Sequence, residues 1–199
     1  STCTNLTPIG IEKINTGTDI PVMLDALPSV TTSSDAGAGI GYTAFRLRGT
    51  DQSRINVTIN GVPYNDPESH NVYWVDIPDI ASSSESIQVQ RGVGTSTNGS
   101  SSFGGSINIS THSYKPDPFA TLNFKAGSFG TYGSTALFGT GLLNGQWTID
   151  GRASIMHSDG YIDRASSDIQ SLQTNVAWYG DKTLVRMMLM HGKEKTYQA

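Results

Sequence analysis

The segment Tyr64-Asn-Asp-Pro-Glu-Ser-His-Asn-Val-Tyr-Trp74 gathers aromatic rings, an imidazole, amides and carboxylates in one short stretch. Rings supply contact area and a few polar groups set direction, so this mixture suits the surface of a binding site. A metal is a weaker reading of the same residues. Asp66, Glu68 and His70 alternate, but Pro67 interrupts them and three single ligands on one loop make a poor cage. Catalytic signatures are missing: there is no His-Glu-x-x-His pair, no Gly-x-Ser-x-Gly elbow and no phosphate-binding loop. Gly92-Val-Gly-Thr-Ser-Thr97 starts like a dinucleotide loop, lacks the third glycine, and reads better as a flexible turn. Cys3 is the single cysteine, which rules out an internal disulfide framework and a cysteine-rich metal centre. We therefore expect no catalytic residue, no metal and no cofactor, and look for a binding surface.

The elements that position such a surface are read from periodicity. Ile20, Met23, Leu24 and Leu27 recur at helical spacing after Asp19, which suits a cap, with Pro21 in the first turn and Pro28 as the stop. Four alternating segments follow: Phe45 and Leu47; Ile55, Val57 and Ile59; Ile87 and Val89; Ile107 and Ile109. Polar residues intervene in each, as in strands with one face on a core and the other wet. Asn60-Gly61 marks a turn after the second. Long polar connections over 31–42, 62–86 and 92–105 separate them, and loops of that length in a compact domain carry function or disorder. The spacing predicts a small α+β domain over residues 1–115, closed by the linker Tyr114-Lys-Pro-Asp-Pro118.

From residue 119 to 199 the character changes to longer strand-like segments: about 119–128, 131–140, 146–157, 171–179 and 183–191. The third is the cleanest, with Trp147, Ile149, Gly151, Ala153 and Ile155 on one face and Gln146, Thr148, Asp150, Arg152 and Ser154 on the other. A strand between lipid and a watery lumen requires this, and a soluble sandwich strand gives the same alternation with its faces exchanged. Charged residues are 15% of the chain and the formal net charge is −4, with Lys and Arg scattered, so nucleic acid is a poor partner. No run approaches a membrane-spanning helix, which leaves a β-barrel open. Five strands are too few to close one, and open edges are not tolerated in lipid. We expect a piece of a longer protein.

Three segments together resemble the plug of the TonB-dependent outer-membrane receptor family. Asp19-Ile-Pro-Val-Met-Leu-Asp-Ala-Leu-Pro-Ser-Val30 is similar to its opening helix, with Ser29 where Gly is usual. Phe45-Arg-Leu-Arg-Gly-Thr-Asp51 with Arg54-Ile-Asn-Val-Thr-Ile-Asn-Gly-Val-Pro63 resembles its Arg-Gly segment and hairpin. Ile87-Gln-Val-Gln-Arg-Gly92 and Phe103-Gly-Gly-Ser-Ile-Asn-Ile109 resemble its most recognisable stretch, with Gln88 replacing a usual Glu. The resemblance covers about residues 19–110.

It implies an α+β plug, a four-stranded sheet with short helices, followed by the first antiparallel strands of a transmembrane β-barrel that has 22 strands in the family. Import of a scarce nutrient is the implied function: an iron chelate, haem, cobalamin or an oligosaccharide. The implied partners are the TonB inner-membrane energy-transducing protein, an extracellular nutrient and outer-membrane lipid, with a surface lipoprotein as a candidate further partner. The implied location is the outer membrane of a Gram-negative bacterium. The loops at 64–74 and 37–42 would lie at the outward apex, so Tyr42, Tyr64, Asn65, His70, Asn71 and Trp74 are the expected substrate-facing residues. The alternative is that Tyr73 and Trp74 pack inside and His70 is merely solvated. Arg48 and Arg91 hold the family's two Arg-Gly positions and are the expected latch to acidic groups on the barrel wall. The TonB box is not visible near Ser1 and is expected upstream. The rival reading is a surface-exposed or secreted β-rich binding module, such as an adhesin domain.

Overall fold

The computed structural model describes residues 3–35, 37–93, 103–111 and 114–196. Ten strands and helices fill the first part: β1 (Cys3–Leu6), α1 (Pro8–Ile14), α2 (Ile20–Leu24), β2 (Val30–Ser34), β3 (Thr43–Leu47), β4 (Thr50–Asp51), β5 (Ile55–Ile59), β6 (Val62–Pro63), β7 (Ser86–Arg91) and β8 (Gly105–Ser110). One sheet runs β1-β7-β8-β5-β6, with β5 and β8 parallel, and a second runs β2-β3-β4. The predicted alternation sets the register of the first. Ile87 faces Ile109, Val89 faces Ile107, and Val57 and Ile59 pair with the same two isoleucines. All six are 3% exposed or less. Each such side chain removed from water stabilises the fold by roughly 1.5–3 kcal/mol.

Three features depart from the expectation. The Phe45 strand belongs to the second sheet, and β1 takes the edge of the first. All of β5 is buried, because Asn56 and Thr58 are covered as well as the apolar positions, and Thr58 Oγ1 donates to Asn108 Oδ1 at 2.7 Å. Helix α1 carries no apolar period in the sequence because it buries Ile11 alone. Thr7 caps it by accepting from the Gly10 amide, and Pro8 opens it. Helix α2 follows Asp19 and packs Ile20, Met23 and Leu24 inward, but the Asp19 side chain makes no cap bond, accepting from Thr43 and Gly41 instead, and the helix stops at Leu24. Asn60 and Gly61, at φ 53° and 82°, form the tight β5–β6 turn. At Gly105 an added Cβ would lie 2.2 Å from the Gln90 carbonyl oxygen, so only glycine lets β8 approach β7 there. Most of the Gly92–Thr97 turn lies outside the described residues.

The second part is a meander of five antiparallel strands: β9 (Phe119–Ala126), β10 (Tyr132–Gly139), β11 (Trp147–Ser158), β12 (Ser167–Tyr179) and β13 (Leu184–Thr196). Its burial is inverted relative to a soluble sheet. On β11, Thr148, Arg152 and Ser154 are buried at 3–5%, while Trp147, Ile149 and Ile155 are 36–56% exposed. On β12, Ser171, Gln173 and Asn175 are buried and Leu172 is exposed. The polar face covers the first part of the chain, and the apolar face, with Leu122, Phe124, Phe138, Met187 and Leu189, looks outward. Aromatics mark both ends: Trp147 and Trp178 pair at 6.4 Å, and Tyr132 stacks on His157 at 5.1 Å.

Candidate functional site

Where the two parts meet, a buried ion pair joins them. Asp79 stands at the start of a 3-10 turn, Ile80–Ser83, in left-handed backbone (φ 54°). Its Oδ2 accepts from Arg152 Nη1 at 2.9 Å, and the two side chains are 2% and 3% exposed. Asp79 also accepts from Ser154 Oγ (2.5 Å), Thr135 Oγ1 (3.2 Å) and Ser82 Oγ (2.5 Å). Arg152 Nη2 donates to Ser171 Oγ at 2.9 Å and to the Pro78 carbonyl at 3.4 Å. The Asp79 carboxylate thus engages Thr135 of β10 and Arg152 and Ser154 of β11, and Arg152 carries the network on to Ser171 of β12. Two charges removed from water hold together only when hydrogen bonds surround them as they do here. The polar-face alternation located Arg152, but nothing in the sequence nominated Asp79. Its only mark was an acid between apolar neighbours, Ile77-Pro-Asp-Ile80.

The loop over 64–74 is ordered by its own polar groups. Asn65 Oδ1 accepts from the Val57 amide at 2.7 Å, and its Nδ2 donates to the Ile55 and His70 carbonyls at 2.9 and 2.8 Å. Asn65 therefore ties the loop to β5. Asp66 accepts from the amides of Ser69 and Glu68 and from Ser69 Oγ, and these bonds, led by the Ser69 amide, hold its carboxyl below the usual range. His70 is exposed in left-handed backbone (φ 57°), Asn71 is half-buried, and Tyr64 packs partly on the core. Trp74 requires a correction. It is 2% exposed and meets Phe45 edge-on at 6.1 Å, so it is a core residue closed to any solute, whereas Tyr73 is 46% exposed.

Tyr42 ends the glycine loop and is 41% exposed. That loop lies against the β11–β12 connection, since a Cβ on Gly37 would sit 3.3 Å from Ile162 and 3.5 Å from Tyr161. Arg48 is exposed on the β3–β4 turn, where Arg48 and Gly49 have φ 53° and 78°, and its side chain lies over Gly92. Arg91 is buried, with contacts that include the Pro28 carbonyl at 3.3 Å and Thr4 Oγ1 at 2.9 Å. Both of these partners belong to the first part of the chain.

Beside the glycine loop, Asp19 is 6% exposed and its Oδ2 accepts from Thr43 Oγ1 (2.8 Å) and the Gly41 amide (3.1 Å). Glu194 of β13 approaches Gly41 from the wall. Burial pushes the Asp19 carboxyl up to about 7 despite those two bonds, with the Asp79 charge adding to the rise. The folded state then holds this proton more tightly than the unfolded chain, whose carboxyl titrates at 3.8. Stability is fullest below that value and falls as pH rises to about 7, by up to about 4 kcal/mol at roughly 1.4 kcal/mol per unit. Asp19→Asn keeps an oxygen for Thr43 and Gly41 and should abolish this slope. Melting temperatures at pH 5 and pH 8 check it: the loss on going to pH 8 should shrink in the variant, and an unchanged loss would assign the slope to other groups.

The profile of the TonB-dependent receptor plug domain matches residues 3–106. No curated protein matches the chain. Solved structures do. The siderophore receptor PirA from Acinetobacter baumannii aligns over 99% of this chain and 32% of its own, at 17% identity and a TM-score of 0.76. The copper transporter OprC aligns over 98% and 30%, at 18% identity and 0.78. The ferric yersiniabactin uptake receptor FyuA from Yersinia pestis aligns over 96% and 31%, at 15% identity and 0.68. At these identities the likeness establishes the fold, a plug with the beginning of a barrel. The chain spans about a third of the length of each of these structures.

Proposed function

Because this chain belongs to the TonB-dependent receptor plug family, we propose that it is part of an outer-membrane receptor that imports a scarce nutrient, driven by the TonB protein of the inner membrane. The observation that carries this reading is the inverted wall: β10–β12 bury serine, threonine, glutamine and arginine against the plug and turn their apolar residues outward. A soluble adhesin-type sandwich requires the reverse. On this reading the plug occupies residues 1–115 and the barrel starts at 119. The end bearing the Gly37–Tyr42 loop faces outward, and the end bearing the 140–146 and 180–183 turns faces the periplasm. Tyr42, Tyr64, His70 and Asn71 are assigned to the nutrient-facing surface, with Asn65 shaping the loop. Arg48 and Arg91 are assigned to retention of the plug, beside the Asp79–Arg152 pair.

The cargo is an iron chelate, haem, cobalamin, an oligosaccharide or, from the likeness to a copper transporter, copper. The proposed setting is the outer membrane of a Gram-negative bacterium, with its lipid around the barrel and a surface lipoprotein as a candidate lid. A deletion strain grown on single sources of iron, copper, cobalamin and glycans should fail on one of them and recover with the full-length gene. Recovery should be lost when TonB is absent. Fractionation that leaves the full-length product outside the outer membrane would overturn the reading.

A further inference from the structure

The glycine loop over 37–42 rests on the wall through one apolar side chain and two carboxyl groups. Ile40, 2% exposed, packs with Met156 of β11 and Ile169 of β12. Gly41 stands at φ 99°, and a Cβ there would lie 3.0 Å from both Glu194 Oε1 and Thr196 Oγ1 of β13, so only glycine lets the loop come this close. Asp19 clips the loop from the plug side. Its amide donates to the Gly39 carbonyl at 2.8 Å, and its carboxylate accepts from the Gly41 amide at 3.1 Å. Asp19 and Glu194 therefore meet at Gly41, one from each part of the chain.

This junction holds acid without a counter-charge. Both Glu194 oxygens are buried and have no protein partner among the described residues. Asp19 has two neutral donors, Thr43 and Gly41, and none of the ion pairs among the described residues includes either carboxyl. The charges that reach the two from neighbouring elements are negative as well: Asp76, in a 3-10 turn, and Asp79, already bound to Arg152. Lys193 and Lys195 flank Glu194 on β13 but alternate to its exposed outward face. A buried carboxylate without a cation is costly, and two that face each other repel when both are ionised. Burial holds the Asp19 proton up to about 7, so this carboxyl changes charge between pH 5 and pH 8.

We propose that Asp19 and Glu194 form a proton-dependent catch for the glycine loop. While either carboxyl is protonated, Ile40 stays seated on Met156 and Ile169 and the loop is closed on the wall. When both are ionised, their repulsion lifts the loop from β13 and lets water reach the two carboxylates. Tyr42, at the end of the loop, moves with it. The catch rests on the geometry around Gly41; that it makes the outward surface respond to external pH rests on the receptor reading above.

The test uses the full-length receptor in detergent, with its cysteines replaced by serine and a nitroxide label on Ala38→Cys, in the loop. The spectrum separates an immobile population, with the loop on the wall, from a mobile one. The ratio of mobile to immobile signal should rise about tenfold or more from pH 5 to pH 8, the factor that one unit of difference in proton affinity gives. Glu194→Gln and Asp19→Asn each remove one ionisable group and should keep the ratio low at both values. Either variant decides the matter if the other does not fold. An unchanged ratio in the parent, or a rise of the same size in a folded variant, would overturn the catch. The experiment needs no cargo. Failure of the growth and fractionation test would instead remove the receptor reading and leave the catch standing, so the two failures are distinguishable.

Discussion

Asp79→Ala in the full-length receptor is expected to weaken the hold of the plug on the barrel by about 3–5 kcal/mol, the loss typical when one member of a buried ion pair is removed. The guanidinium of Arg152, 3% exposed, would keep Ser154 and Ser171 as partners but lose its counter-charge. The hydroxyls of Thr135 and Ser154 would lose their common acceptor at the same time. The measurement is hydrogen exchange or limited proteolysis of the plug, read against urea in the intact protein. Arg152→Ala should give a loss of the same order. The neutral pair Asp79→Asn/Arg152→Gln should recover most of it, because amides replace the charges and still bond to the surrounding hydroxyls. A double-mutant cycle then gives the coupling directly, and additive single losses would mean that the pair contributes nothing beyond its separate contacts.

Much of the wall and of the central sheet was legible because period two is a property of the chain alone. On β11 the split between Trp147, Ile149 and Ile155 and Thr148, Arg152 and Ser154 appears in the burial as it does in the sequence. The direction of that split needed the fold, since alternation carries no sign. Strand ends shifted by a few residues where pairing, not composition, decides: β12 begins at Ser167, opposite Thr196 and Ser158, ahead of the apolar run. Helix α1 and strands β1 and β2 left no legible mark because their own apolar residues are few and their partners are far along the chain. Thr4, for example, pairs with Val89.

The charged contact between the two parts was not legible in the sequence. The family resemblance implies arginines on the plug, Arg48 and Arg91, that meet acids on the wall. The ion pair formed between plug and wall among the described residues has its acid on the plug and its arginine on the wall. An acid such as Asp79 is invisible to pattern reading because its role is created by Thr135, Arg152 and Ser154, 56 to 75 positions away.

Trp74→Ala should destabilise the plug by about 3–5 kcal/mol, the range for emptying a large aromatic site in a core. Trp74 is among the largest fully buried side chains, and it supports Phe45 and through it the β2–β3–β4 sheet. Trp74→Phe should recover most of the loss, since Nε1 has no protein partner among the described residues and only ring volume is given up. Near-ultraviolet dichroism and cooperative melting of the full-length protein distinguish these outcomes. The comparison that decides the site assignment is with Tyr42→Ala and His70→Ala. Both residues are exposed, so their truncation should shift stability by no more than about 0.5 kcal/mol. If the outward loops take the nutrient, these two variants lower uptake while melting normally, and Trp74→Phe leaves uptake intact. A Trp74→Phe receptor that melts normally but no longer takes up its nutrient would return Trp74 to the binding surface, with its indole reached only after the loop opens.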